Sequence, residues 1–237
     1  AGPVLMLSSA QLGAFATNHP GARTRLRLLP PTVDRLRADP AAANPEAKAA
    51  ARQRLVLSEG PVWLWMGLQP KTKGLDRALA ALARAPKACL LVCGLDPASR
   101  AGAAAGRLAA RLGVAERVRW LGFVDDPGLS QAMAAADLLA HPSRADVTGT
   151  VILEALASGL PVVTTAVCGY GEHVVAADAG VVLAEPFQAA DFDRALQQTP
   201  ETLARWSVNA LAYASRDELY SGLERAADLI LADAGGR

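Results

Sequence analysis

The sequence predicts an α/β fold: a doubly wound, Rossmann-like parallel sheet followed by C-terminal helices. Two observations carry this. From Pro61 onward, short apolar runs alternate with amphipathic helical stretches, the order that strand–helix–strand units require. The runs are apolar throughout rather than alternating with polar residues, so the strands are buried on both faces, as parallel strands are. Right-handed crossovers then place helices on both sides of the sheet.

The elements follow in order. Val4–Leu7 reads as a short buried strand, and Ser8 or Ser9 can cap a helix reaching Thr17. Leu26–Leu29 is a second strand, stopped by Pro30-Pro31. This unit is too small to close a core alone, so residues 1–31 read as a remnant of another domain. Residues 32–60 are rich in Pro, Ala and charge and read as an interdomain connector, with a helix opened by Pro45-Glu46 and running to Leu57. Residues 61–237 form the main domain. Its strands are Val62–Met66, Ala88–Cys93, Val118–Leu121, Leu138–His141, Val162–Thr165 and Val181–Leu183. Its helices are Leu75–Ala85, an Ala-rich stretch ending at Leu112-Gly113, Leu129–Ala136, Val151–Ser158 and Glu172–Ala176. Three helices close the chain: Phe187–Leu196, Glu201–Ala214 and Leu219–Ala232, the last with Asp217 as cap or first-turn acid. The final Ala234-Gly235-Gly236-Arg237 is expected to fray.

Composition narrows the function. Of 237 residues, 24 are Lys or Arg and 23 Asp or Glu, a net charge of +1 that offers no electrostatic case for nucleic acid. The three cysteines, Cys89, Cys93 and Cys168, are too few and too odd in number for a disulfide framework, which fits a reducing compartment. No apolar stretch is long enough to span a bilayer, and no signal peptide is seen. The opening Ala1-Gly2-Pro3, without Met, is what an excised piece would show.

Ligands of such sheets bind beyond the carboxyl ends of the strands. In the loop Gly67–Gly74, Gly74 permits a turn, and Lys73 can hold a diphosphate or stabilise a leaving phosphate. A cation at a helix start opposes the helix dipole, which argues for a use other than solvation. In the loop after His141, Thr148-Gly149-Thr150 offers open amides at the next helix start, and Val151 follows. Glu154 lies about one turn into that helix, placed to accept hydrogen bonds from a ribose diol; amid Ile152, Leu153, Ala155 and Leu156 an unpaired Glu would be costly. Asp146 is a second carboxylate, equally readable as an ordinary loop acid. Gly122, Phe123 and Val124 can receive a base through backbone groups, or simply form a turn. His173 can carry a proton, although a lone His is more often structural. No G-x-G-x-x-G follows a strand and no phosphate-loop motif is present; Asp191-Phe192-Asp193 matches D-x-D by letter but opens a helix, where Asp is an ordinary cap.

The run from Val62 to Glu185 resembles the donor-binding, C-terminal half of the retaining GT-B glycosyltransferases. Asp146 to Glu154 matches that family's E-x7-E motif with Asp in the first place, and Lys73-Gly74 matches its phosphate-binding Lys-Gly. Lys71–Ala78, Ala134–Pro142, Leu160–Tyr170, Ala184–Phe187 and Ala227–Ile230 are similar to the subgroup that glucosylates the first heptose of lipopolysaccharide core. Leu68 stands where the family often has Arg. The resemblance implies a UDP-sugar donor, UDP-glucose by subgroup, and metal-independent transfer with retention, so no cofactor and no metal. Lys73 and the amides of Gly149–Val151 would hold the diphosphate, Glu154 the ribose, and Asp146 the donor sugar. The acceptor, a lipopolysaccharide core heptose, would be held by an N-terminal domain that this sequence lacks, so the isolated chain is expected to transfer no sugar. The resemblance further implies a cytoplasmic location, with peripheral membrane association of the full-length protein at the inner face of the bacterial inner membrane. Two other readings remain open on the residues alone: a UDP-sugar 2-epimerase-like enzyme, and a non-catalytic nucleotide-binding module.

Overall fold

The computed structural model describes residues 2–57 and 59–235. Strands β1 (Val4–Met6) and β2 (Leu26–Leu28) form a two-stranded parallel sheet around helix α1 (Ser9–Asn18), which Ser8 caps by accepting from the Gln11 amide. Helix α2 (Pro45–Arg54) follows, opened by Asn44, whose side chain accepts from the Glu46 amide, and by Pro45 at the first helical position.

The segment 32–57 packs onto the main domain: Val33, Ala38, Ala42 and Ala51 are buried in its core. One carboxylate fastens it. Asp137 accepts from Lys48 Nζ at 2.5 Å, from Arg52 Nη2 at 2.8 Å and from the Val62 amide at 2.7 Å, tying α2 to the start of the first sheet strand.

The main sheet has six parallel strands: β3 (Val62–Met66), β4 (Cys89–Cys93), β5 (Val118–Gly122), β6 (Leu138–His141), β7 (Val162–Thr165) and β8 (Gly180–Leu183), in spatial order β5-β4-β3-β6-β7-β8. Counted from the first strand of this domain, that is the 3-2-1-4-5-6 order of doubly wound folds, with the chain reversing direction across the sheet between β3 and β6. Every residue of β3, β4, β6 and β7 is buried. The intervening helices are α3 (Leu75–Arg84), α4 (Arg100–Arg111), α5 (Asp126–Ala135), α6 (Thr150–Ala157) and α7 (Gly171–Ala176). Two apolar clusters sandwich the sheet: one holds Leu64, Met133, Ile152 and Leu156, the other Trp63, Trp65, Leu79 and Phe192.

Helices α8 (Ala189–Leu196), α9 (Pro200–Ala214) and α10 (Gly222–Gly235) complete the chain. Helix α8 begins two residues later than expected, and Leu219 lies in a short 3-10 turn, Asp217–Leu219, rather than opening the last helix. A docking contact accompanies the second of these differences. The Gly222 amide donates to the Pro31 carbonyl at 3.1 Å, and a Cβ there would lie 2.3 Å from the Pro30 carbonyl oxygen, so the chain must straighten before α10 starts. Asp217 therefore does not cap α10; it pairs with Arg35 at the surface. Helix α10 leaves Leu223, Ile230 and Leu231 exposed. Gly236 and Arg237, part of the stretch expected to fray, lie outside the described residues. Among the described residues no helix is long and apolar enough to cross a membrane.

Candidate functional site

A crevice of about 540 Å³ opens above the carboxyl ends of β3, β4 and β6, at the point where the strand order reverses. Its lining includes Gly67, Lys73, Phe123, Val124, Asp146, Thr148, Gly149, Thr150, Val151 and Glu154, all expected from the sequence to be site residues. Gly122 is not among them: it ends β5 at φ 66°, and its carbonyl is taken by the Gly94 amide at 2.7 Å.

Two glycines shape the crevice. Gly74, at φ 73°, turns the first loop into α3; a Cβ there would lie 2.0 Å from the Pro142 carbonyl oxygen, so only glycine lets this loop rest on the one after β6. Gly149, at φ 80°, opens α6, and no side chain caps that helix. Its first-turn amides therefore face the crevice without a side-chain partner, a ready anion site.

The charged groups are tightly arranged. Lys73 Nζ lies 2.7 Å from Asp146 Oδ2, and the same oxygen lies 2.9 Å from His141 Nε2. His141 Nε2 also lies 3.0 Å from Ser143 Oγ. Burial pushes the Asp146 carboxyl upward, but hydrogen bonds from His141 and Lys73 outweigh it and hold it below its ordinary 3.8. Burial favours the neutral imidazole of His141, yet Asp146 and Cys168 hold its proton on, above 6.5. The neighbouring Cys168 thiol is pushed up by burial and pulled further down by His141, ending below 9.0. His141, Asp146 and Cys168 place one ligand atom each within 4.8 Å of one another, a set able to hold a soft divalent ion. Lys73 already supplies a cation to Asp146 there.

Glu154 is buried, as its apolar neighbours on α6 required, and it is not unpaired. Arg37 Nε donates to Glu154 Oε1 at 2.8 Å, while Oε2 has no partner among the described residues. Sequence reasoning missed Arg37 because it lies 117 positions away, in the stretch read as a connector, and carries no local signal. It also missed the bonding of His141 to Asp146, although both residues stood in the loop singled out.

The remaining candidates fall elsewhere. His173 Nδ1 lies 2.7 Å from the Tyr213 hydroxyl and its ring meets Tyr170 edge-on, a structural role; burial pulls its pKa below 6.5. Asp191 and Asp193 pair with Arg194 and Arg84, away from the crevice. Cys93, by contrast, lines the crevice at the end of β4, and burial pushes its thiol to about 12.

A doubly wound sheet with an anion-suited helix start and a buried acid one turn further on has the layout of a nucleotide-binding fold, and comparison with known proteins specifies the family. Residues 48–210 match the family "Glycosyl transferases group 1", and the chain belongs to that family. It is 36% identical over 239 aligned residues to the lipopolysaccharide glucosyltransferase WaaG of Escherichia coli K12, an alignment covering 96% of this chain and 61% of WaaG. It is 31% identical to a D-inositol 3-phosphate glycosyltransferase of Catenulispora acidiphila, covering 91% of this chain and 50% of that protein. The crystal structure of WaaG superposes with a TM-score of 0.82 at 35% identity, over 95% of this chain and 62% of WaaG. That of Anabaena HepE in complex with UDP and glucose gives 0.77 at 27% identity, over 97% and 63%. The fold is thus that of the GT-B enzymes, and the chain spans about three fifths of the length of WaaG.

Proposed function

We propose that this chain is the donor-binding portion of a retaining glycosyltransferase that moves glucose from UDP-glucose to a heptose of lipopolysaccharide core, on the cytoplasmic side of the membrane. The observation that carries the reading is the convergence of Lys73, the open α6 amides and Glu154 on one crevice at the strand-order reversal. The likeness to WaaG supports donor and acceptor class, and the HepE complex supports UDP as a ligand of this fold.

In this reading the diphosphate lies between Lys73 Nζ and the amides of Gly149–Val151. Glu154 takes the ribose hydroxyls, and the backbone near Phe123 and Val124 takes the base. Asp146 meets the sugar. The acceptor hydroxyl attacks the anomeric carbon on the face the phosphate leaves. The new C–O bond forms as the old one breaks, and the acceptor proton passes to the departing phosphate oxygen. Lys73 and the amides stabilise the charge that grows there, the role a metal ion plays in other transferases. Leu68 offers no charge to the phosphates, so Lys73 carries more of that load.

The test is a ligand-observed NMR titration of wild type and Lys73→Ala with UDP, UDP-glucose and ADP-glucose. Binding of the uridine ligands that is lost in the variant supports the site. Equal binding by both proteins removes Lys73 from it. Glucosyl transfer by the isolated chain would show that no further acceptor-binding part is needed.

A further inference from the structure

The side chains around the Lys73–Asp146 pair include a set of ligands that the nucleotide reading does not use. His141 and Asp146 line the crevice, and Cys168 is buried beside them. Each offers one donor atom, and the three atoms lie within 4.8 Å of one another. Among the described residues no other three His, Cys, Asp or Glu side chains meet in this way.

The backbone holds the set in place in the free protein. His141 ends β6, Asp146 follows in the next loop, and Cys168 comes just after β7. Asp146 and Cys168 pair in an isolated parallel β-bridge, and the Gly169 amide donates to the Asp146 carbonyl at 3.2 Å. The hydroxyls of Thr164 and Thr165 on β7 donate to the carbonyls of His141 and Ser143 at 3.1 and 2.8 Å. Ligands fixed in advance lower the ordering cost of binding.

The donor types choose the ion. A thiolate, an imidazole and a carboxylate suit zinc, cobalt or cadmium, whereas magnesium takes oxygen ligands and keeps its waters. Tetrahedral bonds of about 2.0–2.3 Å set ligand atoms roughly 3.3–3.8 Å apart, so the set closes on an ion with movements of about an ångström. Binding sheds the Cys168 thiol proton, and any proton on His141 Nε2, to solvent. Lys73 Nζ, 2.7 Å from Asp146 Oδ2, is the cation that the ion has to displace.

We propose that His141, Asp146 and Cys168 form a site for a thiophilic divalent ion of the zinc type, which competes with Lys73 for Asp146. Ser143 Oγ, 3.0 Å from His141 Nε2, or water from the crevice supplies the fourth ligand. An ion held here parts the ammonium from its acid. The site stands on its own donor set, whether or not the crevice takes a nucleotide sugar.

The probe is Cd²⁺, titrated into the reduced protein while the thiolate-to-metal charge-transfer absorbance is followed in the ultraviolet. The expected result is a saturable band that Zn²⁺ competes away and Mg²⁺ does not. Cys168→Ser removes the band although Cys89 and Cys93 remain, and Cys89→Ser keeps it. Asp146→Asn weakens binding several-fold. Lys73→Ala, which takes away the competing ammonium, tightens it several-fold. A second reading needs no variant: in two-bond ¹H–¹⁵N spectra of the wild type, the Nε2 resonance of His141 shifts on addition of Zn²⁺. A wild type without the band, a band that survives Cys168→Ser, or a His141 resonance that stays fixed overturns the site. Equal Cd²⁺ affinity in wild type and Lys73→Ala overturns the competition.

Discussion

Lys73 Nζ and Asp146 Oδ2 form an ion pair of 2.7 Å across the mouth of the crevice, joining the loop after β3 to the loop after β6. The pair spans the two strands between which the sheet order reverses. The Lys73 side chain is only partly exposed, at 24%, and lines the crevice in which the proposed diphosphate would lie. Lys73→Ala is expected to weaken UDP binding by about tenfold or more, the loss of one charge-assisted contact of roughly 1.5–3 kcal/mol. Isothermal titration calorimetry measures it. Lys73→Arg, with a wider and planar head, is expected to recover only part of the affinity.

The same cluster makes stability depend on pH. His141 has a folded pKa above 6.5, so its contribution is complete below 6.5 and is lost as pH rises through the folded value. Asp146 has a folded pKa below 3.8, so its contribution is complete above 3.8 and is lost as pH falls through the folded value. The full effect is therefore present between these limits. Thermal melts at about pH 5.5 and about pH 8.5 should show wild type losing more stability on the alkaline side than Asp146→Asn, which removes the carboxylate that holds the imidazole charged. Identical pH profiles for the two proteins would contradict the coupling.

Arg37 occupies one oxygen of the carboxylate assigned to the ribose. Arg37→Ala leaves Glu154 buried without its charged partner, and unfolding by urea should show a loss of about 1 kcal/mol, modest because the Arg37 side chain is 41% exposed. Adding Glu154→Gln should restore most of that loss. A nucleotide ribose no longer has to displace the guanidinium in Arg37→Ala, so its UDP affinity should equal or exceed that of wild type. A clear fall in affinity would instead make Arg37 a nucleotide contact.

Val56 ends α2 in a left-handed conformation, at φ 51°. Its amide donates to the Gln53 carbonyl, and the Leu57 amide donates to the Arg52 carbonyl, the bonding of a Schellman motif whose turning position favours glycine. A β-branched residue there is strained. Val56→Gly is expected to stabilise the protein by about 1 kcal/mol, net of the added chain entropy. Differential scanning calorimetry should register a rise in Tm of roughly 2–4 °C.

Much of this was legible in the sequence. Val62–Met66, Leu138–His141 and Val162–Thr165 form strands with the expected bounds because both faces are buried and the runs carry no competing polar pattern. Lys73, Gly149 and Glu154 meet in one crevice because each sits in the loop or first turn after a strand end, where the topology itself gathers them. What escaped notice depends on distant pairing. Arg37 gives no sign in its own neighbourhood that it reaches Glu154. Helix α10 starts later than the sequence suggests for a related reason: the apolar stripe is continuous through Leu219, but Gly222 docks on Pro31 where the helix begins.

The three bonds that Asp137 makes to Lys48, Arg52 and the Val62 amide set the true edge of the folding unit. A shortened gene product beginning at Pro61 would keep every strand of the large sheet. It would also strip that acid of both cations and bare the apolar flank that α2 covers on α5. Such a truncation would be poorly soluble, whereas one beginning upstream of Asp39 would retain the clasp and serve as the minimal piece for ligand studies.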